Sequence, residues 1–172
     1  NKLANDKGFS LLELLMSISI FSFVCLVIFG VYQLGMNSWD LISVESTLAG
    51  EARMGIERMN KELRTSKLSN IDSSSNTQLR FKVPTAINSS TGAITTWSNW
   101  IRYSRGGING NQLLRTDEGT NAVTVLANQV TGVQFTANGT PSTISMSLTA
   151  QKTTSNGILV PVTLSSTTDL RN

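Results

Sequence analysis

The chain has 172 residues, 40% hydrophobic and 6% aromatic, with a formal net charge of +3: room for one ordinary domain and an appendage. It contains no histidine, which excludes the usual general base, the commonest metal ligand and every Ser-His-Asp or Cys-His arrangement. Its one cysteine, Cys25, cannot form a disulfide within the chain, and so small a basic excess is no nucleic-acid footprint. No cofactor, metal, catalytic residue or nucleic-acid partner is expected.

The first element is apolar. Lys2 and Lys7 precede it, Glu13 stands at its mouth, and Leu14 to Tyr32 run for 19 residues without a charge. As a helix that run spans about 28 Å, close to the hydrocarbon thickness of a bilayer. The leading lysines favour a cytoplasmic N-terminus, with the rest of the chain sent across. A cleaved secretory signal would have a shorter apolar core followed by a small-x-small site, whereas Gly30-Val31-Tyr32-Gln33-Leu34-Gly35 follows here. A plain signal anchor fits length and charge but leaves Glu13 unexplained, since an unpartnered carboxylate near a membrane helix end costs about 1–3 kcal/mol. Small and hydroxyl residues (Ser10, Ser17, Ser19, Ser22, Gly30, Gly35) dot the run. They either permit close helix–helix approach or are merely tolerated in an anchor.

Lys7-Gly8-Phe9-Ser10-Leu11-Leu12-Glu13, followed by some twenty apolar residues, resembles the class III signal of type IV pilins and pseudopilins. The resemblance implies that a prepilin peptidase cuts after Gly8 on the cytoplasmic side and that Phe9 becomes the N-methylated first residue of the mature chain. Glu13 then matches the acid used in assembly. A carboxylate at that position can neutralise the freed α-amine, on its own or a neighbouring subunit, where water is scarce.

Beyond the apolar run the helical pattern continues, because no proline occurs before Pro84. Leu41, Leu48, Ala52, Ile56, Met59 and Leu63 recur at helical spacing. Arg53/Glu57, Glu57/Lys61 and Arg58/Glu62 are opposite charges four apart and are expected on the exposed side. A kink or local melting is expected at Gly35-Met36-Asn37-Ser38. Residues 66–77 read as a polar, Ser-rich linker. The period then falls to two. Strands are predicted at Gln78–Val83, Trp100–Ser104, Gln112–Thr116, Ala122–Ala127, Val130–Thr136, Thr143–Ala150 and Leu159–Ser165, with RGGINGN as a hairpin loop. Ile144, Met146 and Leu148 form one apolar face. The fold class is therefore α+β: a long N-terminal helix, membrane-spanning then amphipathic, packed on an antiparallel β-domain. The expected parts are a leader (1–8), a membrane or filament-core helix (9–35), an amphipathic helix (36–65) and a β-rich periplasmic domain (66–172).

Other features are weaker. Asp117-Glu118 lacks EF-hand spacing and reads as a turn tip before a calcium ligand pair. Asn88 and Asn138 begin Asn-x-Ser/Thr triplets, which arise often by chance. Trp97, Trp100 and Tyr103 fit either ordinary strand packing or an aromatic ligand face. The succession IERMNKELRTS, WIRYSRGG, NQLLRTDEGT and VLANQVTGVQFT is similar to J-type minor pseudopilins of type II secretion and to PilW-like minor pilins. That resemblance implies a structural subunit of the secretion pseudopilus, not an enzyme, in a tip complex that primes filament assembly for protein export. Its partners would be other minor pseudopilins, the major pseudopilin, the prepilin peptidase/methylase, the inner-membrane assembly platform and the lipid bilayer. The chain would be single-pass in the bacterial inner membrane before extraction into a periplasmic filament. A PilW-like role in adhesion, motility or DNA uptake is the alternative. A non-polymerising membrane-anchored adhesin is a third reading, and it would need neither Gly8 nor Glu13.

Overall fold

A single helix, α1 (Leu11–Leu63), opens the computed structural model, which describes residues 10–139 and 142–171. Ten strands follow among the described residues: β1 (Ile71–Ser75), β2 (Gln78–Phe81), β3 (Pro84–Ile87), β4 (Ile94–Trp97), β5 (Ile101–Gly106), β6 (Gln112–Asp117), β7 (Ala122–Ala127), β8 (Val130–Asn138), β9 (Thr143–Thr153) and β10 (Leu159–Asp169). One long N-terminal helix packed on antiparallel sheets makes the α+β architecture expected from the periodicities, and its outline is the pilin-like one that the resemblance implies. The chain divides into two compact units, residues 1–40 and 41–172.

In the first unit every described residue up to Trp39 is exposed, and helical hydrogen bonding passes through Gly35–Ser38 without interruption. The local melting expected there does not occur. Ser38 Oγ donates to Leu34 O at 3.0 Å, so its hydroxyl is satisfied inside the helix and does not compete with it.

In the second unit, α1 presents a stripe of Val44, Leu48, Ala52, Gly55, Ile56, Met59 and Leu63 inward. The predicted stripe is thus extended by Val44 and Gly55. A five-stranded antiparallel sheet, ordered β1-β2-β5-β6-β7, and a three-stranded one, β10-β9-β8, enclose it, and β3 and β4 form a separate hairpin. Ala52, Ile56, Met59 and Leu63 share one core with Phe81, Tyr103 and Leu113 of the first sheet and Phe135, Met146 and Leu148 of the second. A smaller cluster joins Val44 and Leu48 to Ala150 and Val160. Ile144, Met146 and Leu148 alternate inward as their period-two spacing requires.

The two sheets are joined through backbone bonds from Phe135 N to Asn76 O and from Val130 N to Asn111 O, both 2.8 Å. The RGGINGN loop is the β5–β6 connection, and Gly107 there has φ +72°. A Cβ at Gly107 would fall 2.0 Å from Gln112 Oε1 and push that side chain aside, while the positive φ is what favours glycine there.

Three strands escaped the periodicity. The segment read as a linker holds a short 3-10 turn, Leu68–Asn70, and then β1, which pairs with β2 through Ile71↔Phe81 and Asp72↔Arg80. Its sequence, IDSSS, has only one apolar residue, so strand formation rests on pairing and not on propensity. The β3–β4 hairpin strands, PTAI and ITTW, are four residues each and largely exposed, too short to show an alternating pattern. Its turn is closed by Asn88 Oδ1, which accepts the Ser90 and Thr91 N–H groups at 2.9 and 3.2 Å.

Candidate functional site

Glu13 lies in the first turn of α1, where the unpaired amide groups of a helix N-terminus favour a carboxylate. Its side chain is exposed. Gly8 and Phe9, the other two positions of the processing pattern, lie outside the described residues. One turn on, Ser17 Oγ donates to Glu13 O, Ser19 Oγ to Leu15 O and Ser22 Oγ to Ile18 O, each at 2.8 Å. These hydroxyls are therefore satisfied without water, as a hydrocarbon environment requires.

Around them Leu15, Phe21, Phe23, Leu26, Ile28 and Phe29 all stand exposed, on every side of the helix. Cys25 is exposed among them. A Cβ placed at Gly30 or Gly35 meets nothing within 4 Å, so both glycines offer a shallow place for an approaching neighbour. α1 is long and apolar enough to cross a membrane, and none of its most apolar window is buried. A surface apolar all round is stable only in lipid or against other helices.

A second constellation lies in the other unit. Glu62, in the last turn of α1, accepts Arg115 Nε on both oxygens at 3.0 Å and the Tyr103 hydroxyl at 2.9 Å. Arg58 Nε stands 3.6 Å from the same carboxylate. Tyr103 is fully buried and stacks on Phe81 with ring centroids 5.2 Å apart. Its pKa is driven far above the usual phenol range, first by burial and then by the charge and hydrogen bond of Glu62. Burial opposes the charge on Arg115, but the hydrogen bond and charge of Glu62 outweigh it and hold the guanidinium protonated.

Glu62 therefore corrects the sequence reading, which set it among solvated charges. It ties the helix end to β5 and β6 with only 19% of its side chain exposed. Its position directly before Leu63 on the inward stripe was the available signal. Glu57 takes Arg53 at 3.0 Å, and no ion pair to Lys61 forms among the described residues.

A third cluster covers the outer face of the five-stranded sheet. Arg80 bonds Glu118 at 2.6 Å and Asp72 at 3.2 Å, and its guanidinium lies 5.1 Å from the Trp100 ring centroid, with Lys82 Nζ at 4.7 Å. Its pKa is raised, chiefly by the hydrogen bond to Glu118. Asp117 Oδ1 meanwhile accepts the Gly119 and Thr120 N–H groups at 2.9 and 3.2 Å. Asp117 and Glu118 are thus engaged separately, one by a turn and one by arginine. Trp97, Trp100 and Tyr103 do not make one face: Tyr103 is in the core, and Trp100 lies under two cations. Among the described residues no three metal-ligating side chains gather.

Residues 3–29 match the family described as the prokaryotic N-terminal methylation motif, a span that contains Gly8, Phe9 and Glu13. No curated protein and no solved structure matches the chain. The motif implies processing by prepilin peptidase and assembly with other pilins, and with the apolar helix it is consistent with a membrane-anchored pilin. Heading one long helix packed on antiparallel sheets, it supports a place in the type IV pilin and pseudopilin superfamily, whose members are typically structural and not enzymatic.

Proposed function

We propose that this chain is a J-type minor pseudopilin, a structural subunit that helps form the tip of a type II secretion pseudopilus and primes filament assembly for protein export. The observation that carries the reading is an exposed carboxylate, Glu13, at the head of a helix whose apolar surface is uncovered on all sides. An anchor needs the apolar surface but gains nothing from the acid. A filament subunit uses both. Cleavage after Gly8 frees the Phe9 amine, and Glu13 pairs with that cation on an adjacent subunit, setting the register of parallel helices. The subfamily assignment draws on the convergence of Glu62, Tyr103 and Arg115, which lie in three of the segments that carry the J-type resemblance.

Two measurements test this. Intact mass of the membrane-extracted protein should show a chain beginning with N-methyl-Phe9; a chain beginning after Gly30 or Gly35 would mean a conventional signal peptide. Glu13→Leu should insert in the membrane at least as well as the parent, since a carboxylate worth about 1–3 kcal/mol is gone, yet abolish secretion. Normal secretion together with normal twitching and adhesion would sink the filament role of Glu13, unless the subunit sits at the extreme tip with nothing above it. Loss of twitching or adhesion with secretion intact would place the subunit in a type IV pilus.

A further inference from the structure

Trp100 lies under two cations, whereas no cation covers Trp97 among the described residues. Trp97, partly exposed, lines a cleft of about 430 Å³ with Lys67, Ser69, Asn70 and Arg171, a volume in the range of small-molecule sites. Backbone bonds assemble its walls. Asn70 N donates to Lys67 O at 2.9 Å and closes the short turn that carries Ser69 and Asn70. Arg171 N donates to Ser66 O at 2.9 Å, which sets Arg171 at the start of that turn. Opposite, the β3–β4 hairpin presents Trp97, and Gly92 N donates to Asn88 O at 2.8 Å to hold its tip. The charge of the cleft is unbalanced: among the described residues it is lined by two cations and no acid. Arg80 is answered by Glu118 and Asp72, and Arg115 by Glu62. Lys67 and Arg171 form no ion pair among the described residues, and the Ser69 and Asn70 side chains make no hydrogen bond there. Like charges held in one cleft repel, and an anion between them relieves that repulsion.

We propose that this cleft binds an acidic sugar, a hexuronate ring carried free or within a polysaccharide. Its carboxylate meets Lys67 and the guanidinium fork of Arg171. One face of the ring, lined by C–H groups, lies on the open indole of Trp97. Its hydroxyls meet the Ser69 hydroxyl and the Asn70 amide, each of which can both donate and accept. The ligand class follows from the set of groups and not from the charge alone. A bare phosphate would answer the two cations and leave the indole uncovered. An acidic peptide side chain would answer the cations and offer no ring of hydroxyls to the amide and the serine. All five residues belong to the second unit, so the proposal goes beyond the filament reading and does not depend on it.

The test is a titration of the full chain in a sugar-free detergent, followed by calorimetry and by tryptophan emission. The ligands are glucuronate, glucose, acetate, inorganic phosphate and a glutamate peptide. Glucose supplies the ring without the carboxylate, and acetate the carboxylate without the ring. Glucuronate should bind at least tenfold more tightly than any of the other four, and less tightly as salt is raised. It should change the tryptophan emission, and Trp97→Phe should remove that change. Lys67→Ala and Arg171→Ala should each weaken glucuronate binding at least tenfold with an unchanged melting temperature, since neither side chain has a partner to lose. The ranking of ligands on the unmodified chain decides the matter even if a variant folds poorly. Tighter binding of a glucuronate-containing oligosaccharide than of the monomer would assign the site to a polysaccharide, and equal binding to the free acid. Phosphate or the peptide binding as tightly as glucuronate would overturn the proposal. So would an absence of glucuronate binding, or binding that Trp97→Phe and Lys67→Ala leave unchanged. None of these outcomes touches the filament reading, which Glu13→Leu tests.

Discussion

Leu26 and Leu48 lie in one helix, yet Leu26 is 70% exposed and Leu48 only 2%. Around Leu26 the apolar residues occupy every side of the helix; around Leu48 they form one stripe, and charge takes the opposite side. The first arrangement cannot be covered by the chain's own sheets, which can shield one face of a helix at most. The second can be, and is. The contrast shows one element divided between two solvents: the first unit leaves its apolar surface for lipid or neighbouring helices, whereas the second closes its own core.

The sharpest way to break that contrast is to place the same charge in both regions. Met59→Lys buries an unpaired ammonium in a fully closed site and should cost about 4 kcal/mol or more, enough to unfold the second unit in a thermal melt. Leu26→Lys in detergent should leave that melting transition where it was. A shift with Leu26→Lys would mean that the first unit supports the fold of the second.

Glu62→Ala tests the polar tie within the second unit. It leaves the Arg115 guanidinium and the buried Tyr103 hydroxyl without their acceptor, at an expected cost of about 2–4 kcal/mol in chemical denaturation. Glu62→Gln keeps an acceptor and should recover part of it. The same site sets an alkaline limit. Tyr103 is held above its ordinary value near 10, so below that pH it is protonated both folded and unfolded, and its contribution to stability is complete. As pH rises past 10 the unfolded phenol ionises and the folded one does not, so stability falls. Tyr103→Phe should flatten that decline when unfolding is followed as a function of pH. The smallest effect is expected in the apolar region. Ser19→Ala removes a hydroxyl already bonded to Leu15 O and should alter membrane insertion by no more than about 0.5 kcal/mol.

The boundary between the two solvents was legible in the sequence. An unbroken apolar run followed by a stripe at helical spacing is a local pattern, and the helix it predicts is held by bonds four residues apart. The alternation of Ile144, Met146 and Leu148 was legible for the same reason. β1 was not, because Ile71–Ser75 has the composition of a linker and becomes a strand only where Gln78–Phe81 offers it a partner. Glu62 was misplaced because a carboxylate on a helix is usually solvated, and its partners Tyr103 and Arg115 lie 41 and 53 residues away.

The sequence by itself determined the N-terminal motif over residues 3–29, the long helix and most of the period-two strands. Each of these depends on residues close together in the chain. Only the tertiary structure decided which strands lie at the sheet's edges, which carboxylate ties the helix end to β5 and β6, and that Asp117 and Glu118 serve different partners. Those features arise from pairings across long stretches of chain, where the deciding energy belongs to the contact and not to either residue alone.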